Sequence, residues 1–270
     1  MTQLLPLAAE HEEDGSFHAP GMGEFLGLPA LFFEDTPFEI NRIILVRLFA
    51  VVVMLFLFWL GLRKARRVPT RGQSIAEMAI DFVKVQIADQ ILGEKFGRRY
   101  LPILAAMFFG ILAMNITGLI PGLNMAGTAL IGVPLVLGVF AYVVFIHAGI
   151  KQLGARKFFK NSLLPSGVPV PIYLILTPVE FLNIFIVRPL SLALRLLLNM
   201  MVGHLLLVLC FAATHFFFFT ADGWLSLFGV GTLLAGFIFT LVELLVAALQ
   251  AYVFTLLTAV YIQQAVAEEH

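Results

Sequence analysis

One arginine stands inside a long apolar run in the last third of the chain. Arg195 lies in the stretch RPLSLALRLLLN (residues 188–199), and no Lys or Arg follows it. A charged side chain at bilayer depth costs about 2.5–3.5 kcal/mol on insertion scales, and such residues usually mark an ion pathway. The alternative is an arginine that reaches the interface along its own stem. Arg188, beside a proline, fits that description, whereas Arg195 lies two helical turns deeper and is predicted to be functional.

Other polar residues in the same region are few and regularly spaced. Four of them recur at steps of three or four and therefore share one helix face: Arg188, Ser191, Arg195 and Asn199. In the next apolar run Glu243 and Gln250 are seven residues apart, again on one face, and Tyr261 follows. The spacing predicts two helices that carry polar stripes through an apolar environment.

A histidine and a glutamate lie at similar distances from the turn that joins these two runs. His204 and Glu243 are each about 18–20 residues from residues 220–223, so antiparallel pairing of the runs puts them at comparable depths. A carboxylate and an imidazole in lipid need each other or water. Two interpretations stay open, a buried structural pair or a proton relay, since His changes charge near physiological pH. The arginine in the same hairpin favours proton transfer.

The composition indicates a polytopic membrane protein. Of 270 residues, 60% are hydrophobic and 13% charged, and several apolar runs exceed the roughly 18 residues that suffice for a span. We predict an all-α fold with five transmembrane helices. The first three spans are expected at about Ile43–Leu62, Tyr100–Ile120 and Ala129–Ile150.

An amphipathic helix is predicted over about residues 74–98, at the membrane interface. The sequence Ser74-Ile75-Ala76-Glu77 has the form of a capping box that opens it. Four apolar residues share one face: Ile80, Val83, Ile87 and Ile91. This face suits either the membrane interface or the soluble part of a partner.

The last two apolar runs are too long for ordinary spans. Nearly 40 helical residues measure about 60 Å at about 1.5 Å each, twice the hydrocarbon thickness of about 30 Å. Each run is therefore two spans without a loop or one strongly tilted helix. Because residues 224–263 contain no charged or Gly/Pro-rich turn, we predict a long, strongly tilted hairpin over about residues 174–264.

Charge asymmetry predicts the topology. Residues 1–41 contain eight acidic residues and no Lys or Arg, whereas a basic cluster directly follows the first apolar run. The positive-inside rule puts that cluster in the cytoplasm. We predict an acidic extracytoplasmic segment over residues 1–41, one membrane domain over residues 42–270, and a cytoplasmic C-terminus. The first ten residues lack the features of a signal peptide and are expected in the mature chain.

Several stretches resemble subunit a of F-type ATP synthases, in order from about residue 40 to the end. The most specific are Arg188-Pro-Leu-Ser-Leu-Ala-Leu-Arg195 with Asn199, then Gly203-His204, Glu243, and the segment Leu249-Gln250-Ala251-Tyr252-Val253-Phe254. The resemblance implies a stator subunit without a catalytic centre of its own, in a bacterial plasma membrane. Its implied partners are a ring of c subunits, the b-subunit peripheral stalk, the remainder of the ATP synthase, the lipid bilayer and protons.

The resemblance also implies roles for individual residues. Arg195 matches the essential arginine that faces the c-ring carboxylate and separates two offset half-channels. The implied proton path comprises Glu243, His204, Asn199, Gln250, Glu180 and Tyr261, with Glu180 in the cytoplasmic half-channel. The carboxylate and imidazole are exchanged relative to many members, which suits a paired role.

Two rival functions have weaker support. A secondary transporter with a His–Glu relay is expected to show internal repeats and broken helices, and we find no convincing repeat. A membrane hydrolase is expected to carry a His-rich metal motif or a Gly-x-Ser-x-Gly element, and the sequence has neither. No phosphate loop of the P-loop form occurs. We therefore expect no bound cofactor, no metal and no nucleic-acid partner.

Overall fold

The structure is a computed structural model that describes residues 30–32, 40–63, 70–120, 126–163, 170–221 and 223–267. Most of the predicted acidic segment, Asp222 and the last three residues lie outside this part. The chain divides into two compact units. We call residues Val202–Glu243 the hairpin unit, and the described parts of Pro29–Met201 and Leu244–His270 the main unit.

The described residues are almost entirely helical. The α-helices are α1 Arg42–Leu62, α2 Arg71–Val83, α3 Gln90–Ile116, α4 Gly132–Leu153, α5 Ala155–Leu163, α6 Val170–Leu182, α7 Arg188–Phe219 and α8 Phe228–Val266. Single-turn π segments join α2 to α3 (Lys84–Asp89) and α6 to α7 (Asn183–Val187), and 3₁₀ turns occupy Thr117–Leu119 and Gly223–Leu227. Within the described ranges, five helical stretches are long and apolar enough to cross a membrane, which confirms the predicted all-α polytopic fold.

Two elements were not predicted. A short antiparallel pair, β1 Ala30–Phe32 and β2 Ile40–Asn41, precedes the first helix. Helix α5 forms where only a basic loop was expected. Its Phe158 is buried. The helix has only nine residues, fewer than the window of roughly 11–18 residues over which a helical period is read.

The amphipathic helix begins earlier than predicted. Thr70 is its N-cap, and its hydroxyl accepts the backbone N–H of Gln73 at 3.5 Å. The predicted capping box at Ser74 is therefore wrong, because the cap four residues upstream already opens the helix. Glu77 instead accepts the side-chain amide of Gln73 at 2.7 Å.

The apolar face predicted for this helix packs inside the protein. Val83 and Ile87 are fully buried in the core of the main unit. A different apolar face is left exposed, since Ile75 and Met78 are each 70% accessible. Gly93, with φ 72°, then breaks the helical geometry before the span, a conformation that side chains disfavour.

The two long runs are helical throughout. Residues Ile175–Phe219 and Gly223–Val266 form stretches of 45 and 44 residues. Neither run contains a break that would divide it into two spans, so the alternative of two spans in each run is wrong. A helix pairs most of its backbone groups within the segment, as a lipid environment requires, although Pro178 and Pro189 each lack an N–H donor.

The core of the main unit joins segments from distant parts of the sequence. Its fully buried side chains include members of α3, α7 and α8: Leu104, Ile111, Leu196, Phe254 and Ile262. This packing fixes the first turns of α7 and the last turns of α8, which carry most of the predicted site residues.

The hairpin unit consists of two antiparallel helical segments. Thr214 and Thr232 share a hydrogen bond of 2.9 Å between their hydroxyl oxygens. Closer to the turn, Gly229 lies against Phe218, and farther from it Gly236 lies against Phe211. Small residues thus let the two helices approach closely, which drives helix association in membranes.

Candidate functional site

Arg195 is on the exposed side of α7. Leu192 and Leu196 bury the opposite side of the helix in the core of the main unit, whereas Arg195 is exposed. Its neighbours Leu194 and Leu198 are also open, at 37% and 47%. Among the residues that the structure describes, Arg195 has no hydrogen-bond or ion-pair partner. The site therefore presents a lone cation in an apolar surface.

Asn199 and Gln250 join α7 to α8 one turn beyond Arg195. The Asn199 Nδ2 donates to Gln250 Oε1 at 3.0 Å. Gln250 is only 3% exposed, and its Nε2 has no hydrogen-bond partner within the described ranges. The pair thus retains a buried donor that can bind a further acceptor or water.

Glu180 and Tyr261 share a cavity with Arg188 in the main unit. The cavity has a volume of about 170 Å³, room for several water molecules. Glu180 accepts a hydrogen bond from Asn183 at 3.5 Å. The Arg188 guanidinium lies 5.0 Å from the centre of the Tyr261 ring, a cation–π contact. Further polar lining comes from Ser162 and Gln264.

Arg188 therefore has a local role that the sequence did not indicate. It was expected to reach the interface as an ordinary snorkelling arginine, but the structure seats it over an aromatic ring at the edge of a polar cavity. Two predicted path residues from opposite ends of the hairpin sequence, Glu180 and Tyr261, meet in this cavity.

The hairpin unit holds His204 and Glu243 at one level. Both are buried, at 6% and 4% exposed. Gly203 lies against the carboxylate, since a Cβ added there would stand 3.2 Å from Glu243 Oε1. A larger residue at 203 would require the carboxylate to shift by a few tenths of an ångström. Glu243 Oε2 is buried without a hydrogen-bond partner in the described part of the chain, which leaves one oxygen available for a proton or water.

The sequence did not predict a partly buried polar cluster that includes Arg47 of α1. Arg47 donates from Nε to the carbonyl of Gly127 at 2.7 Å. Asn115 accepts from Thr128 Oγ1 at 2.6 Å and donates to the Ala247 carbonyl at 3.3 Å. A sequence signal existed, because Arg47 is, like Arg195, a cation inside an apolar run. The described residues include no group of three or more His, Cys, Asp or Glu that would suit a metal ion.

Comparison with known proteins gives a consistent result. A family model described as ATP synthase A chain matches residues 44–263. Among the relatives, ATP synthase subunit a of Rhodococcus erythropolis is 47% identical over 255 residues, covering 94% of this chain and 92% of the relative.

Two further relatives carry the same name. The protein from Frankia alni is 42% identical, covering 86% of this chain and 79% of its own length. The one from Streptomyces lividans is 36% identical, covering 100% and 95%. With five spanning helices and a polar hairpin already established, these matches show that the chain belongs to the ATP synthase A chain family, the non-catalytic, proton-translocating stator subunits in the membrane sector of F-type ATP synthases.

Proposed function

We propose that Arg195 couples proton flow to rotation by attracting an ionised carboxylate on a passing ring of c subunits. The observation that carries the proposal is the exposed guanidinium of Arg195, which lacks a partner among the described residues and is flanked by exposed Leu194 and Leu198. A charge left in apolar surroundings requires a counter-charge. A carboxylate that moves past on another subunit supplies one and then leaves.

The cavity lined by Glu180 and Tyr261 is proposed as the cytoplasmic half-channel. Its polar lining and volume support a water-filled path. A proton released by a ring carboxylate near Arg195 would enter this water, with Glu180 as the acceptor. Arg188 would hold the Glu180 carboxylate and the aromatic ring of Tyr261 in place electrostatically.

The buried pair His204 and Glu243 is proposed as part of the outer half-channel. Burial of both groups supports a relay that excludes bulk water. A proton would pass between the imidazole nitrogen and a carboxylate oxygen of Glu243 and then to the ring carboxylate. The side-chain amides of Asn199 and Gln250 would form hydrogen bonds next to Arg195 and along the path of the arriving proton. Offset of the two half-channels forces the proton to travel with the ring.

The proposed topology and partners follow the charge pattern and the family. The N-terminal segment lies outside and the C-terminus in the cytoplasm of a bacterial cell, with residues 42–270 as one membrane domain. The b-subunit peripheral stalk holds the chain against the c ring.

The test is the rate of proton-driven ATP synthesis in membrane vesicles. Replacement of Arg195 by Ala is expected to lower it at least about 100-fold, the loss typical when one preorganised electrostatic donor is removed. The assembled complex must still co-purify with the c ring and the catalytic head.

The matched control is Arg98→Ala, which removes another exposed arginine, on α3, and is expected to leave synthesis near the wild-type rate. Wild-type synthesis by an assembled Arg195→Ala complex would disprove the proposal.

A further inference from the structure

The connection between α3 and α4 contains a short segment that is buried throughout. Residues 126–129, which we call the buried segment, belong to no helix or strand and are all inaccessible to solvent. Connections usually run over the surface of a protein. Here Ala126 and Ala129 instead form one apolar cluster with Met200 of α7 and Ala247 of α8. The backbone polar groups of the segment therefore need partners inside the protein.

Arg47 of α1 supplies one of these partners. Its Nε donates to the Gly127 carbonyl at 2.7 Å. The Gly127 N–H is shared between the Met114 carbonyl at 2.9 Å and Thr117 Oγ1 at 3.3 Å. A charged residue inside a span is costly and usually serves a function. None of the roles proposed for the proton path uses Arg47, so its charge needs a separate explanation.

The buried segment connects this contact to α8. Thr128 Oγ1 donates to Asn115 Oδ1 at 2.6 Å, and Asn115 Nδ2 donates to the Ala247 carbonyl at 3.3 Å. All three residues are at most 1% exposed. Ala247 is three residues before Gln250, and the Gln250 side chain accepts the hydrogen bond from Asn199. A continuous series of contacts thus joins α1 to the amide pair of α7 and α8.

From these contacts we propose that Arg47 is a positioning residue for the proton path. By holding the buried segment, Arg47 fixes Asn115, whose hydrogen bond to α8 sets the position of the Gln250 amide. Closely packed interiors transmit small displacements, so loss of the contact on α1 moves the amide pair. The inference rests on the proposed function, in which Asn199 and Gln250 lie along the path of the arriving proton.

The test is the rate of proton-driven ATP synthesis in membrane vesicles at several outer proton concentrations. Arg47→Met removes the donor to Gly127 and is expected to raise the proton concentration at half-maximal synthesis about tenfold, within the roughly 100-fold that a misplacement of about 1 Å can cost. The maximal rate per assembled complex is expected to stay near the wild-type value. A role in stability alone would reduce the amount of assembled complex without shifting that concentration.

Two further variants and a control define the contact. Arg47→Lys keeps a cationic donor for the Gly127 carbonyl and is expected to restore the wild-type dependence on proton concentration. Thr128→Val keeps the side-chain shape but removes the hydroxyl that bonds Asn115, so it is expected to give the same shift as Arg47→Met. The matched control is Arg42→Met, which removes an exposed arginine from the same helix and should leave the dependence unchanged.

A double-mutant cycle shows whether Arg47 acts through Asn115. In an Asn115→Ala background, Arg47→Met is expected to add no further shift, because coupled residues are not additive. A second full shift in that background would overturn the inference, as would wild-type behaviour of an assembled Arg47→Met complex. Either result beside an inactive Arg195→Ala complex would leave the proposed function intact, whereas synthesis by the Arg195→Ala complex would refute the proposed function itself.

Discussion

The main unit and the hairpin unit handle membrane charge in opposite ways. The main unit leaves Arg195 exposed and opens Glu180 to a polar cavity. The hairpin unit buries both His204 and Glu243, with a glycine against the carboxylate. Charge in lipid is costly, and under the proposed function the exposed arginine is neutralised by another subunit whereas the buried groups serve each other.

The difference indicates where the interaction partner of each group is expected. Two buried groups packed at the same level exchange protons with each other first, so their identities are expected to be interchangeable as a pair. An exposed charge can act on a group outside the chain, and under the proposed function that external partner fixes its position. Exchange experiments separate the two cases.

The largest effect is expected from exchange in the main unit. Arg195→Asn combined with Asn199→Arg keeps the composition but moves the cation by one turn, about 6 Å at 1.5 Å per residue. Because the proposed ring carboxylate would then no longer meet the cation, ATP synthesis should fall at least about 100-fold. Recovery to more than half of the wild-type rate in vesicles would show that position is unimportant.

Exchange in the hairpin unit should be far milder. Glu243→Gln alone is expected to cost about 100-fold in proton flow, within the range for a positioned acid–base group. His204→Glu with Glu243→His should retain clearly more activity than Glu243→Gln or His204→Ala, measured as ATP-driven proton pumping.

The matched control in the same unit is Thr214→Val. It removes the hydroxyl hydrogen bond to Thr232 without removing a titratable group, and pumping should stay near wild type. If the exchanged protein is as inactive as the single variants, the chemistry depends on position and the contrast between the units fails.

A moderate effect is expected in the polar cavity. Glu180→Gln removes its carboxylate and should lower proton flow about tenfold, below the usual acid–base range, because water in the proposed half-channel would still accept protons. Glu77→Gln, which removes a carboxylate on α2 outside the cavity, is the control.

Ser162→Cys in a Cys210→Ala background tests whether the cavity holds water. The new cysteine should react with a water-soluble thiosulfonate reagent, and no reaction would mean that the cavity is dry.

The smallest effect should come from the amide pair. Asn199→Ala and Gln250→Ala in a double-mutant cycle should show a coupling of about 1 kcal/mol in thermal or denaturant stability, typical of one hydrogen bond. Additive losses would indicate that the 3.0 Å contact contributes nothing to stability.

The sequence alone determined the fold class and the membrane spans, because few backbone conformations are possible in lipid. Backbone groups in hydrocarbon must be satisfied internally, so apolar runs of sufficient length predict helices directly. The five spans and the polar stripe with Arg195 follow from hydropathy and spacing. The motif spacing that identified the family is likewise local in sequence.

Only the tertiary structure decided which residues meet. The cavity brings Glu180 together with Tyr261, 81 positions later, and no periodicity within one helix can encode such a contact. The same holds for Arg47 and Gly127, and for the buried face of the amphipathic helix. Hydrophobic periodicity reports that a face is apolar, whereas packing alone decides whether lipid or the protein core covers it.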